Sequence, residues 1–129
     1  MGLGSGWALF FVLAGGRLPS RLPRAPSGAL TLRWLWLATR ASGEELIWRG
    51  LVLAGLAVAL GTAAALVLSA VGFAVWHAPL LGRRCALHAI TGVGFGGAFL
   101  LAGLGGAALA HGTYNVLVDW ALQARREAA

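Results

Sequence analysis

The sequence predicts an all-α, polytopic membrane protein with about four full transmembrane helices, a short N-terminal apolar segment and an interfacial helix. Three observations carry that expectation. Hydrophobic residues fill 59% of the 129 positions and charged residues only 11%, where a soluble domain carries roughly 25% charge. The mean hydropathy is +0.80. The ten basic residues are all arginines, and they fall between apolar runs. Such a chain cannot coat a water-facing globule, which excludes an ordinary soluble enzyme and a disordered tail. The net charge of +6 does not point to nucleic acid, because the arginines form no patch interleaved with aromatics. A single cysteine, Cys85, excludes an intramolecular disulfide.

The N-terminal apolar run, Trp7 to Gly16, is too short to cross ~30 Å of hydrocarbon, which takes about 20 helical residues. Its positive charges, Arg17, Arg21 and Arg24, follow the run. That is the reverse of a secretory signal, so no cleaved signal is expected. Arg17 to Gly28 contains Pro19, Pro23 and Pro26 and is expected to be a basic loop. Ala29 to Arg40 is interrupted by Arg33 and decorated by Trp34 and Trp36, which suits a helix lying in the interface.

Four longer apolar stretches follow: Gly43 to Leu60, Thr62 to Leu80, Ala86 to Leu101 and Gly105 to Leu122. A tight basic turn, Gly82-Arg83-Arg84, divides the second from the third. The chain thus divides into a partial N-terminal region (1–39), a membrane core (40–122) and a C-terminal tail (123–129). Four spans place Arg17 to Arg40, Arg83 with Arg84, and Arg125 with Arg126 on one side. The positive-inside rule makes that side cytoplasmic. Gly92 and Gly96 are four apart, the spacing that lets helices approach closely in lipid.

Ionisable groups inside apolar helices are expensive, so each one calls for a partner or a function. Arg49 lies nine residues past Arg40, ~13 Å along a continuous helix, and Glu45 is its neighbour one turn back. Glu44 is rotated ~100° away and is expected to be free of local partners. The alternative, an interfacial acidic cluster balancing Arg40, explains the two glutamates but not the depth of Arg49. His77 follows Phe73 by one turn and precedes Pro79; His111 and Asn115 share one helical face. Taken singly, each of these suits packing or interhelical hydrogen bonding. Together, one carboxylate, two imidazoles and an amide on three apolar spans are most simply explained by one hydrated cavity. A carboxylate beside an imidazole activates water, and further donors stabilise an oxyanion. That set suits hydrolysis of an acyl bond, a peptide bond above all.

The motifs Glu-Glu-x-x-x-Arg at 44–49, Phe-x-x-x-His at 73–77 and His-x-x-x-Asn at 111–115 resemble the CAAX protease and bacteriocin-processing (CPBP, or Abi) family of intramembrane endopeptidases. The likeness covers roughly Arg40 to Trp120. It implies that Glu44 and His77 activate water, that His111 and Asn115 stabilise the oxyanion, and that Glu45, Arg49 and Phe73 support them. It implies a peptide or membrane-anchored protein as substrate, the lipid bilayer as surroundings, and no cofactor. Glu44, His77 and His111 could alternatively form a three-ligand zinc site with an open position. A non-catalytic membrane module, such as an immunity factor or assembly partner, is the other alternative. Family members usually carry more helices before the first motif, so the chain is expected to be a natural minimal form, an N-terminally truncated product, or one that borrows helices from another copy in an oligomer.

Of the remaining polar residues, His88 is expected to pack at the interface. Asp119 is expected to pair with an arginine near the cytoplasmic surface, and Cys85 is given no nucleophilic role.

Overall fold

The computed structural model describes residues 2–13 and 28–127, and every element among them is helical. These are α1 (Gly2–Leu13), α2 (Gly28–Glu45), a π-helical segment (Leu46–Leu53), α3 (Ala54–Leu60), α4 (Thr62–Leu81), a 3₁₀ turn (Gly82–Cys85) and α5 (Ala86–Glu127). Except for Gly28, the expected basic loop from Arg17 to Gly28 lies outside the described residues.

Helix breaks occur where the sequence offers a residue without a Cβ. Gly61, Gly82 and Gly103 have φ of 80°, 55° and 67°, a region that glycine enters without steric cost. Gly103, with Ala102 at φ −139° and ψ 15°, bends α5 into two halves, 86–101 and 104–127. One expected boundary is missing. No break separates the helix at 29–40 from the next one, because Glu45, Leu53 and Ala54 all keep right-handed helical angles. Residues 28–60 therefore run as one continuous helix through the π segment. Nothing between Arg40 and Gly43 forces a stop, since a lone glycine with negative φ merely weakens a helix.

α4 and the first half of α5 run antiparallel, whereas α1 runs parallel to the second half of α5. A Cβ on Gly92 would stand 2.9 Å from the Ala70 Cα, and one on Gly96 would collide with the Leu66 side chain, so partner numbers fall as the chain advances. The small-residue spacing expected to allow close approach does so here. Likewise, a Cβ on Gly72 would sit 2.7 Å from the Trp48 ring, placing the π segment against α4. The two halves of α5 fold back on each other, with Gly106 beside the Ala98 carbonyl. α1 runs beside the second half, Gly2 against Gly106 and Gly6 against Ala110. Phe95, Ala98 and Ala110 form a buried cluster, covered by Leu9 and Tyr114.

One helical stretch among the described residues, Thr62–Arg126, is long and apolar enough to cross a membrane by length and composition. Many large apolar side chains lie on the outside, among them Val58, Trp76, Leu80 and Leu101. An apolar exterior on this scale marks a surface made for contact with something other than water.

The glycine contacts differ in what a side chain would meet. Gly92→Ala drives a methyl against α4 backbone and should cost about 1–3 kcal/mol. Gly97→Ala meets nothing within 4 Å and should leave stability unchanged or raised. Thermal unfolding of the purified variants in detergent checks the difference.

Candidate active site

The inward stripe of the long helix consists of Ala41, Glu45, Arg49 and Leu53, all buried. Each step of four residues overshoots an α-helical turn by about 40°, and the wider π turn takes up that drift. Single π turns inside α-helices recur at functional sites. Glu45 and Arg49 consequently point into the bundle, where the bare charge of either would be prohibitive.

Both find partners. Arg49 NH1 donates to Glu45 Oε1 at 2.9 Å, and NH2 donates to the Gly92 carbonyl at 2.9 Å. The guanidinium carbon lies 4.9 Å from the Phe73 ring centroid and 5.6 Å from that of Phe95. Planar, weakly hydrated guanidinium tolerates aromatic faces better than an ammonium would. Glu45 Oε1 also meets His111 Nδ1 at 2.7 Å. That oxygen already accepts from Arg49, so His111 Nδ1 carries the hydrogen, and the unprotonated nitrogen of the neutral ring is Nε2. The expected Glu45–Arg49 pair is present, and it also orients a histidine 66 residues away.

Glu44 sits on the other side of the same turn. The expectation that it lacks a local partner is corrected: Arg40 Nε and NH2 donate to its Oε1 at 3.2 and 3.1 Å. The previous turn supplies this partner, because the helix does not end at Arg40. The two glutamates nevertheless differ sharply. Side-chain exposure is 52% for Arg40 and 20% for Glu44, against 1% and 0% for Arg49 and Glu45. A half-exposed pair is worth about 0–1 kcal/mol, so Glu44 is held loosely. Its second oxygen, Oε2, faces two imidazoles, 3.9 Å from His77 Nε2 and 3.8 Å from His111 Nε2.

His77 is fixed by its own helix. Its Nδ1 lies 2.8 Å from the Phe73 carbonyl; a carbonyl only accepts, so Nδ1 donates and leaves the Nε2 lone pair toward Glu44. The Phe73 ring packs edge-on to His77 at 4.6 Å and to His111 at 5.8 Å. His111 stacks on Phe95 at 4.4 Å.

Glu44, His77, His111 and Asn115 all line one cavity of about 330 Å³, with Glu45, Arg49 and Phe73 packed behind it. Leu80, Leu81 and Leu122 also line it, so it opens near the basic turn at 82–85 and the arginine-bearing C-terminal end. Asp119 lies on the same wall. As expected it pairs with an arginine, Arg33, and it also accepts from Trp34 and Gln123, binding α2 to the second half of α5. Among the described residues, no group of three or more His, Cys, Asp or Glu side chains is placed to hold a metal ion.

His88 is the residue that sequence patterning missed. It lines the same cavity and stacks on His77 at 4.4 Å with 27° between the rings. It belongs to no spacing motif. The only available signal was its position, the first histidine of the apolar helix that follows the basic turn.

Residues 26–117 match the family described as type II CAAX prenyl endopeptidase Rce1-like. No curated protein and no solved structure matches the chain. With most of its length matched, the chain belongs to this CAAX protease family, whose members are membrane-associated.

Removing one member of the buried pair exposes how the network is balanced. Arg49→Met leaves the Glu45 carboxylate buried without its cation and should cost about 3–5 kcal/mol. The double variant Glu45→Gln/Arg49→Met should recover a large part of that loss, as read by denaturant unfolding in detergent.

Proposed function

We propose that this member of the Rce1-like family is an intramembrane endopeptidase that hydrolyses a peptide bond with water activated by Glu44 and His77. The single observation that carries this reading is the convergence of Glu44 Oε2 on two imidazole Nε2 atoms, at 3.9 and 3.8 Å, inside one cavity. Those separations exceed a direct hydrogen bond and suit a bridging water.

The chemistry follows from the hydrogen assignments. His77 gives its Nδ1 hydrogen to Phe73, so its Nε2 accepts one hydrogen of the water while Glu44 accepts the other. Glu44 takes that proton as the water oxygen attacks the carbonyl carbon. The carbonyl oxygen becomes an oxyanion beside His111 and Asn115. Collapse of the tetrahedral intermediate breaks the C–N bond, and Glu44 returns its proton to the leaving amine. His111 donates from Nε2 only as an imidazolium, because its Nδ1 hydrogen already belongs to Glu45. Glu45 balances that charge and holds the ring plane, in the manner of a carboxylate behind a catalytic histidine.

The membrane reading extends the same argument. The breaks at Gly61, Gly82 and Gly103 divide residues 40–122 into four antiparallel helices, which we read as four spans of a plasma-membrane protein. The cavity then opens to the cytoplasm, on the arginine-bearing side. The substrate is a peptide or membrane-anchored protein terminus that reaches the cavity from that side, and the reaction needs no metal.

Glu44→Gln keeps the shape of the side chain but cannot take a proton, and should lower kcat by about 10²–10⁴. Asn115→Ala should lower kcat by about 10²–10³ with little change in KM. Both are measured on peptide substrates with the full chain in liposomes. Full activity of Glu44→Gln would leave a non-catalytic membrane module as the function. Loss of activity on chelation, restored by zinc, would favour a metal-dependent hydrolase.

A further inference from the structure

The mechanism above uses His77 and His111 but leaves the third histidine of the chain idle. Four observations single out His88. It lines the cavity with Glu44, His77 and His111. Its ring lies 4.4 Å from that of His77, at 27°. It also approaches Phe73, at 5.8 Å. Finally, its Nδ1 is buried and finds no hydrogen-bond partner among the described residues. Buried polar atoms are nearly always paired, so a histidine serving only as filler is a poor choice where leucine would fill the space without that penalty.

What His77 lacks explains what His88 provides. The χ2 torsion of a histidine is broad and roughly two-fold, so its ring swings easily unless something blocks it. The Nδ1 hydrogen bond to Phe73 fixes one in-plane direction of His77, and the edge-on Phe73 ring stands against the imidazole at 4.6 Å. Neither lies flat on the ring. His88, reaching from α5, does: its stacked ring covers one face of His77, roughly at right angles to the direction of Phe73, from which it is 5.8 Å away.

We propose that His88 is a positioning residue that clamps the His77 imidazole in the orientation and tautomer presenting Nε2 to Glu44. The clamp is the flat ring stacked on His77, and the unpaired nitrogen is the cost of putting a small planar side chain there. The kinetic side of this proposal rests on the water-activating role assigned to His77; the geometric side does not.

The test separates the two. With only three histidines in the chain, ¹⁵N imidazole spectra of the full protein in detergent micelles resolve the His77 tautomer without any turnover. The native chain should show one His77 tautomer, with hydrogen on Nδ1. His88→Ala and His88→Leu should show averaged tautomers, whereas His88→Phe, which keeps a flat ring, should look native. His88→Leu fills the volume without a plane, and so serves where the alanine variant fails to fold. In peptide cleavage, His88→Leu should lower kcat about tenfold with KM within about twofold, and His88→Phe should restore kcat to within about twofold of native. Native His77 signals in His88→Leu, or loss of the single tautomer in His88→Phe, would overturn the proposal. A change confined to KM would also overturn it, by making His88 a substrate contact. An inactive native protein would sink the hydrolase reading, while the spectra would still decide this one.

Discussion

The architecture turns on one constraint, an arginine that must be buried without losing its charge. Arg49 is 1% exposed, in an apolar bundle where an uncompensated guanidinium would be intolerable. Its partners come from three helices: Glu45 from its own, the Gly92 carbonyl and the Phe95 face from α5, and the Phe73 face from α4. Meeting all of them fixes how those helices sit. Close approach of α5 to α4 at Gly92 brings its carbonyl within reach of Arg49, so the packing glycine and the polar network serve the same geometry.

That network then reaches the candidate site. Glu45 accepts from Arg49 and His111 through the same oxygen, which sets the hydrogen of His111 on Nδ1. The adjacent glutamate is treated in the opposite way. Glu44 lies a fifth exposed at a cavity wall, tied only to a half-exposed arginine, with its second oxygen turned to two imidazoles. Consecutive residues on one helix thus divide the work: the buried carboxylate organises and the accessible one is left for chemistry. The ~100° between successive side chains is sufficient cause.

Several of these features were legible in the residues alone. The Glu45–Arg49 pair follows from spacing and from the improbability of a lone buried arginine. The glycine breaks at 61, 82 and 103, and the close approach at Gly92 and Gly96, follow from where small residues fall in apolar runs. That Asp119 pairs with an arginine was also expected, although which arginine, Arg33, was not. One feature was misjudged. Treating Arg40 as the end of one helix removed it from the turn below Glu44, although the two are only four residues apart. The packing expected of His88 is present as a stack on His77, but that it lies on the cavity was not legible, because the stack joins two different helices.

By itself, then, the sequence determined an all-helical, apolar chain with its glycine breaks and its buried ion pair, and named the four side chains that only folding gathers on one cavity. Such properties depend on composition and on contacts within a turn or two. Only the tertiary structure decided that Glu45 holds His111, that Arg49 reaches the Gly92 carbonyl, and that His88 stacks on His77. These contacts join residues 11 to 66 positions apart, on different helices. Helical periodicity fixes the face on which a side chain lies, whereas its partner across the bundle depends on how far each helix slides and turns against the next.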